Sequence, residues 1–243
     1  MKRNLLFIAM LLFAAVNAIA KEGLYMEFKM TGDRFSGTCK AYSCDGNTRS
    51  ETKVVSPAMP RPISTVSLAL KRNPDSTYML NEKDKTYSEA KAAKRDQRSG
   101  GASYEIKIVG KEKIDNYNCT HVIIKDSSAK MEREIWLTKD IAGWAKYASV
   151  KSSFLEGADV FDALKGKGVE GCIVRLLSNS GGGNKIQMDL VKAEKKDVNE
   201  SLFSLKGYTK TKTGLNIPGM NTAAPRPINP KNKDTKENSK QQH

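Results

Sequence analysis

Apolar and polar residues alternate along most of this chain. Leu24, Met26, Phe28 and Met30 are interleaved with Tyr25, Glu27 and Lys29, the period-two signature of a strand with one buried face. Residues 37–44 and 48–55 continue the pattern on either side of Asp45-Gly46, a dipeptide that tolerates positive φ and so marks a tight hairpin turn. Pro57, Pro60 and Pro62 interrupt it. Strands are predicted again at 63–70 and 77–80, and a polar turn over 81–85 leads into Thr86-Tyr87. Residues 89–101 are charged, rich in Ala and end in Gly100-Gly101, as suits a loop or short surface helix. Tyr104, Ile106 and Ile108 then alternate with Glu105 and Lys107. Residues 119–125 and 131–138 read as a second hairpin turning near Asp126-Ser127-Ser128.

The period changes once. Phe154, Ala158, Phe161 and Lys165 fall at helical spacing, with Leu155 and Leu164 beside the same face and Val160 between them. Ser152 or Ser153 can cap the start, and Gly166 and Gly168 end the helix. Two further strands, 172–177 and 185–191, flank Gly181-Gly182-Gly183. Many antiparallel strands, one helix between late strands and no βαβ alternation predict an α+β fold. A curved, half-open antiparallel sheet with the helix packed on its concave face would bury both apolar stripes.

The two ends of the chain read differently. Met1-Lys2-Arg3, the uncharged run 5–16 and Ala18-Ile19-Ala20 make the three-part pattern of a signal peptide over residues 1–20, cleaved before Lys21. The run is shorter than the ~18 apolar residues of a membrane span, and none follows later. The expected product is a periplasmic or secreted protein that does not span the membrane. From Gly214 onward Pro, Asn, Lys and Ser dominate without periodicity, so 211–243 is expected to be a disordered basic tail and 21–210 a single folded domain.

Charge sharpens this division. The formal net charge is +14; Lys2 and Arg3 lie in the leader, and the last 37 residues carry seven basic and two acidic groups, which leaves +7 for the rest. So modest an excess, with 7% aromatic residues and an exported address, excludes nucleic acid as the expected partner. The tail lysines suit a solvated tether with weak, salt-dependent attraction to anionic surfaces.

Export also changes how Cys39, Cys44, Cys119 and Cys172 read, because an even number of cysteines in an oxidising space predicts disulfides. Three pairings exist. On a straight strand Cys39 and Cys44 lie ~16 Å apart, against the ~7 Å limit for a bridge. The favoured pairing is therefore Cys119–Cys172. No metal site is expected, since no Cys-x-x-Cys is present and His121 is the only His before the final residue.

Nothing announces catalysis. His121 shares strand parity with Cys119 and Ile123, as a packed or rim residue would, and no Gly-x-Ser-x-Gly elbow is present. Asp159 and Asp162 fit the solvated face of the helix. The segment 178–185 lacks the Gly-Lys-Ser/Thr ending of a phosphate loop, so it reads as a hairpin turn. No enzyme activity and no cofactor are expected.

Four blocks carry a resemblance. Gly37, Thr38, Tyr42, Gly46, Arg49 and Glu51 form the first, and Tyr78-Met79-Leu80-Asn81 with Lys85-Thr86-Tyr87 the second. Lys113-Ile114, Tyr117, Cys119 and Val122-Ile123 lead to the third and most specific, Glu134-Ile135-Trp136-Leu137-Thr138-Lys139-Asp140. Leu202-Phe203 and Gly207-Tyr208 close the series. Together, over about 24–210, they resemble the exported bacterial domain-of-unknown-function family numbered 4412, itself similar to the LolA/LolB-like lipoprotein-carrier superfamily. One departure is that Leu205 directly precedes Lys206, where the family has a Pro before Lys-Gly-Tyr.

That resemblance implies an incomplete antiparallel β-barrel with an apolar cavity for acyl chains. Met26, Phe28 and Trp136, beside Leu24, would line its wall, and Phe154, Leu155, Phe161 and Leu164 would cover it from the helix. The same residues also suit an ordinary core, and Met suits either role. The implied function is non-covalent binding of a lipid, acyl chain or other hydrophobic ligand by a monomer. The alternative is an envelope interaction or sensor module that binds a protein partner on the same fold without a ligand.

Overall fold

The computed structural model describes residues 20–91, 104–126, 131–144, 158–179 and 185–211. Residues 1–19 of the predicted leader, the 92–101 part of the predicted loop and the tail beyond Thr211 lie outside these residues.

Alternation produces strands wherever it was found, and the strands join into one sheet. The first six are β1 (Ala20–Gly32), β2 (Phe35–Cys44), β3 (Asn47–Val55), β4 (Ile63–Leu70), β5 (Asn73–Asn81) and β6 (Thr86–Lys91). The next five are β7 (Tyr104–Ile114), β8 (Tyr117–Asp126), β9 (Met131–Thr138), β10 (Cys172–Asn179) and β11 (Lys185–Asn199), with the two-residue β12 (Thr209–Lys210) last. Their spatial order is β12-β6-β5-β4-β3-β2-β1-β11-β10-β9-β8-β7. β1 to β6 form one meander and β7 to β11 another. Antiparallel pairing of β1 with the long β11 zips the two together. Only β12 runs parallel to its neighbour, β6. The β2–β3 turn is the predicted one, with Asp45 at φ 51° and Gly46 at φ 80°, the backbone of a tight turn that follows strand twist.

The sheet is curved and unclosed: β7 and the β6/β12 edge end the order without meeting. Register shifts at Glu27/Phe28, Ile108/Gly110 and Ile173/Arg175 are bulges, which bend a strand and increase its twist.

The sheet buries apolar residues on both faces, in two separate cores. On one face Leu24, Met26 and Phe28 of β1, Cys39 and Ala41 of β2, Val122 and Ile124 of β8 and Ile135 of β9 make the main core. The helix α1 (Ala158–Gly166) adds Val160, Phe161 and Leu164. Its predicted first turn, with Phe154 and Leu155, lies outside the described residues. Its end is as predicted: Gly168 sits at φ 72°, and the amide of Val169 donates to the carbonyl of Leu164 at 3.0 Å.

On the other face β4 and β5 bury Val66, Leu68, Leu70, Tyr78 and Leu80. A 3-10 turn, Glu200–Phe203, and the segment to Tyr208 cover this second core with Leu202, Phe203, Leu205 and Tyr208. Leu202-Phe203 and Gly207-Tyr208, noticed in the sequence only as a closing block, are thus its lid.

The favoured disulfide is not formed; all four cysteines are free. Cys119 and Cys172 sit on β8 and β10 with β9 between them, so two strand spacings, ~9.6 Å, separate their backbones. That exceeds the reach of a bridge. Cys39 and Cys44 lie at odd spacing on a continuous β2 and enter different cores, Cys39 the main one and Cys44 the second.

Candidate functional site

Because β4 and β5 bury their apolar residues on the outer face, they present small hydroxyl residues on the other. Thr52 of β3 is the register partner of Thr65 of β4, Ser50 of Ser67, and Thr48 of Ala69. Thr77 and Met79 of β5 continue the rows. These side chains form one wall of a cavity of about 460 Å³. The facing wall is mostly apolar: Met30 of β1, Met188 and Ile186 of β11, Leu176 of β10 and Met131 of β9, with Ser178 and Arg133 among them. β5 and β9 stand seven strands apart in the sheet order, ~34 Å if the sheet were flat. They line one cavity only because the sheet curves round it. The volume lies within the range of small-molecule pockets, ~300–1,000 Å³.

Two polar groups in the lining stand out. Ser50 is 5% exposed, and its Oγ has no hydrogen-bond partner, whereas Thr52 Oγ1 donates to Cys39 Sγ at 3.3 Å. Leaving a buried hydroxyl unsatisfied costs about 1–3 kcal/mol. Arg133 is 8% exposed on β9, third from the β7 edge of the sheet. Other well-buried or half-buried arginines have acids: Arg49 pairs with Glu51 and Glu82, and Arg175 with Asp189. Among the described residues no ion pair or hydrogen bond joins Arg133 to an acceptor. The nearest same-face carboxylate on β8, Asp126, is diagonal to it in the register and makes its own interactions.

The residues expected to line a cavity lie elsewhere. Met26, Phe28, Phe161 and Leu164 are buried in the main core and do not reach this lining. Trp136 faces the other way: three positions from Arg133 on an unbroken strand, it points to the opposite face. There it stacks on His121, ring centroids 4.2 Å apart and planes at 11°. His121 Nε2 lies 3.1 Å from Glu134 and Nδ1 lies 3.5 Å from Glu112. Carboxylates and an indole hold the imidazole. Asp162 is exposed on α1, as its helical position suggested.

A family model described as a domain of unknown function (DUF4412) matches residues 22–208, from β1 to the lid of the second core. The chain belongs to this family. No curated protein matches the DUF4412 chain. Among solved structures it is similar to PNGF-II (14% identity, TM-score 0.44, 79% of this chain and 31% of that one). It is similar to a chain of the Pseudomonas aeruginosa MucA/MucB complex (10%, TM-score 0.42, 79% and 59%). A LolA superfamily protein from Nitrosomonas europaea also matches (10%, TM-score 0.34, 81% and 97%). The DUF4412 chain therefore spans less than two thirds of the first two.

Proposed function

We propose that this protein is an exported envelope module, an incomplete half-barrel with its helix against the concave face, that holds a lipid, acyl chain or other apolar ligand non-covalently. The observation that carries this reading is the cavity of about 460 Å³, whose Met30, Leu176, Ile186 and Met188 wall is the edge of the main core facing a row of hydroxyl side chains. Thioethers suit such a wall because they are flexible and polarizable and adapt to chains of different shape. The hydroxyl wall opposite can orient a polar end. Purification from a lysate that contains membranes, followed by native mass spectrometry, tests the proposal. Co-purified or added lipid bound at one equivalent is expected. A chain that stays empty and takes up no lipid overturns it.

A second reading rests on a different feature. β7 is the last strand of the sheet, and its Ile108 and Val109 are 50% and 49% exposed. An open edge carrying apolar side chains is a template for pairing with a partner's strand. Ile108→Lys with Val109→Lys would abolish partner capture on that reading and leave lipid uptake unchanged.

A further inference from the structure

A buried arginine without an acid demands an explanation. The residue is largely buried, yet its guanidinium nitrogens still meet the solvent of the cavity and no acid of the protein, and an arginine is almost never buried unpaired. Arg133 lies on the cavity wall, directly across the ladder from Ser178, which shares that lining. On the facing wall Ser50 offers a buried hydroxyl that likewise has no partner. One cation and a set of hydroxyls thus border the same space, beside an apolar wall of Met30, Leu176 and Met188. No acceptor of the protein pairs with Arg133, and an anionic oxygen entering the cavity beside Arg133 and Ser178 would.

The geometry points to an anionic headgroup site at Arg133: the ligand is an amphiphile with a carboxylate or phosphate head at Arg133 and Ser178 and an acyl tail along the methionine wall. This inference rests on the reading of the cavity as a ligand site and deepens it. Guanidinium is suited to the task, because its fork of donors matches both oxyanions and the charge-assisted bonds are about twice as strong as neutral ones. A neutral ester or alcohol of the same chain would leave the charge unpaired, so head charge rather than tail length sets selectivity.

The test uses the mature chain with four probes: palmitate, hexadecyl phosphate, methyl palmitate and hexadecyltrimethylammonium, titrated by calorimetry below their micellar concentrations. Palmitate and hexadecyl phosphate are expected to bind at least about tenfold more tightly than the ester and the cation. Whichever of the two anions binds better identifies the head. Arg133→Met should remove that preference and leave ester binding within about twofold. Arg133→Lys should keep part of the preference. Palmitate affinity unchanged in Arg133→Met overturns the headgroup site while leaving apolar binding intact. Wild-type protein that binds none of the four probes instead overturns the reading of the cavity itself. Should Arg133→Met fail to fold, equal affinity of the wild type for palmitate and methyl palmitate is sufficient to reject the site.

Discussion

The guanidinium of Arg49 donates to Glu82 at 2.5 Å, fastening β3 to the turn between β5 and β6. Its Nε donates to Glu51 at 2.7 Å, so one side chain closes two ion pairs while only 7% of it is exposed. The carboxylates are more open, Glu82 at 50%, and can return to water if released. Arg49→Met keeps the buried stem and removes the charge. It should cost about 1–2 kcal/mol in urea unfolding, nearer the value of a charge-assisted bond than that of a fully buried pair. Glu82→Gln in the Met background should then cost almost nothing more. A wild-type midpoint for Arg49→Met would refute the fastening role.

Phe203 plugs the second core from the 3-10 turn, against a sheet face that includes the fully buried Leu68. Phe203→Ala should lose about 3 kcal/mol through transfer and cavity terms, which for a domain of this size lowers Tm by roughly 6–12 °C. The lid lies on the face opposite the cavity. Lipid uptake by the folded fraction should therefore be unchanged, and parallel thermal melts and native mass spectra check both halves of this expectation.

The strands were legible because alternation is a local property, and the Asp45-Gly46 turn because its φ values restrict the residues that fit. The helix end was legible through its glycines. What alternation does not encode is which face of a strand meets which neighbour. Val66, Leu68 and Leu70 announce a buried face, yet nothing local tells that it is the face opposite Met26 and Phe28. The cavity wall follows from that switch, and its Ser and Thr residues look in sequence like a solvated side. Arg133 was hidden for the same reason: within Met131-Glu132-Arg133-Glu134 it reads as one more exposed charge. Trp136 was misplaced because a large aromatic in an apolar block suggests the inside of a barrel, whereas parity with Glu134 puts it on the other face. The cysteine pairing failed because sequence distance carries no register; β9 separates the two thiols.

Free thiols give a direct measurement. Denaturation without reductant should release four thiols per chain to Ellman's reagent, and reductant should not change Tm. In the native state the same reagent should react slowly, because Cys39, Cys44 and Cys119 are buried and burial disfavours the thiolate of each. Two thiols per denatured chain, or a Tm drop on adding reductant, would show a bridge.

Those thiols also set an alkaline limit on stability. Burial pushes Cys39 up from 9.0 to about 11 and Cys172 up to about 12. Between pH 9 and pH 11 the unfolded chain has released these protons while the folded chain still holds them. The folded state therefore binds more protons there, and stability must fall as pH rises. Tyr25 adds to the same slope from about pH 10, since burial and its hydrogen bond to Glu27 also keep its hydroxyl protonated in the fold. The urea midpoint should be flat from pH 7 to 8.5 and decline steadily above 9. Cys39→Ala with Cys172→Ala should be less stable at pH 7, because it empties packed volume, yet its decline between pH 9 and 10 should be shallower than the wild type's, with the raised Cys44 and Cys119 thiols sustaining the remainder. Equal slopes in the variant and the wild type over that interval would assign the alkaline loss to groups other than these thiols.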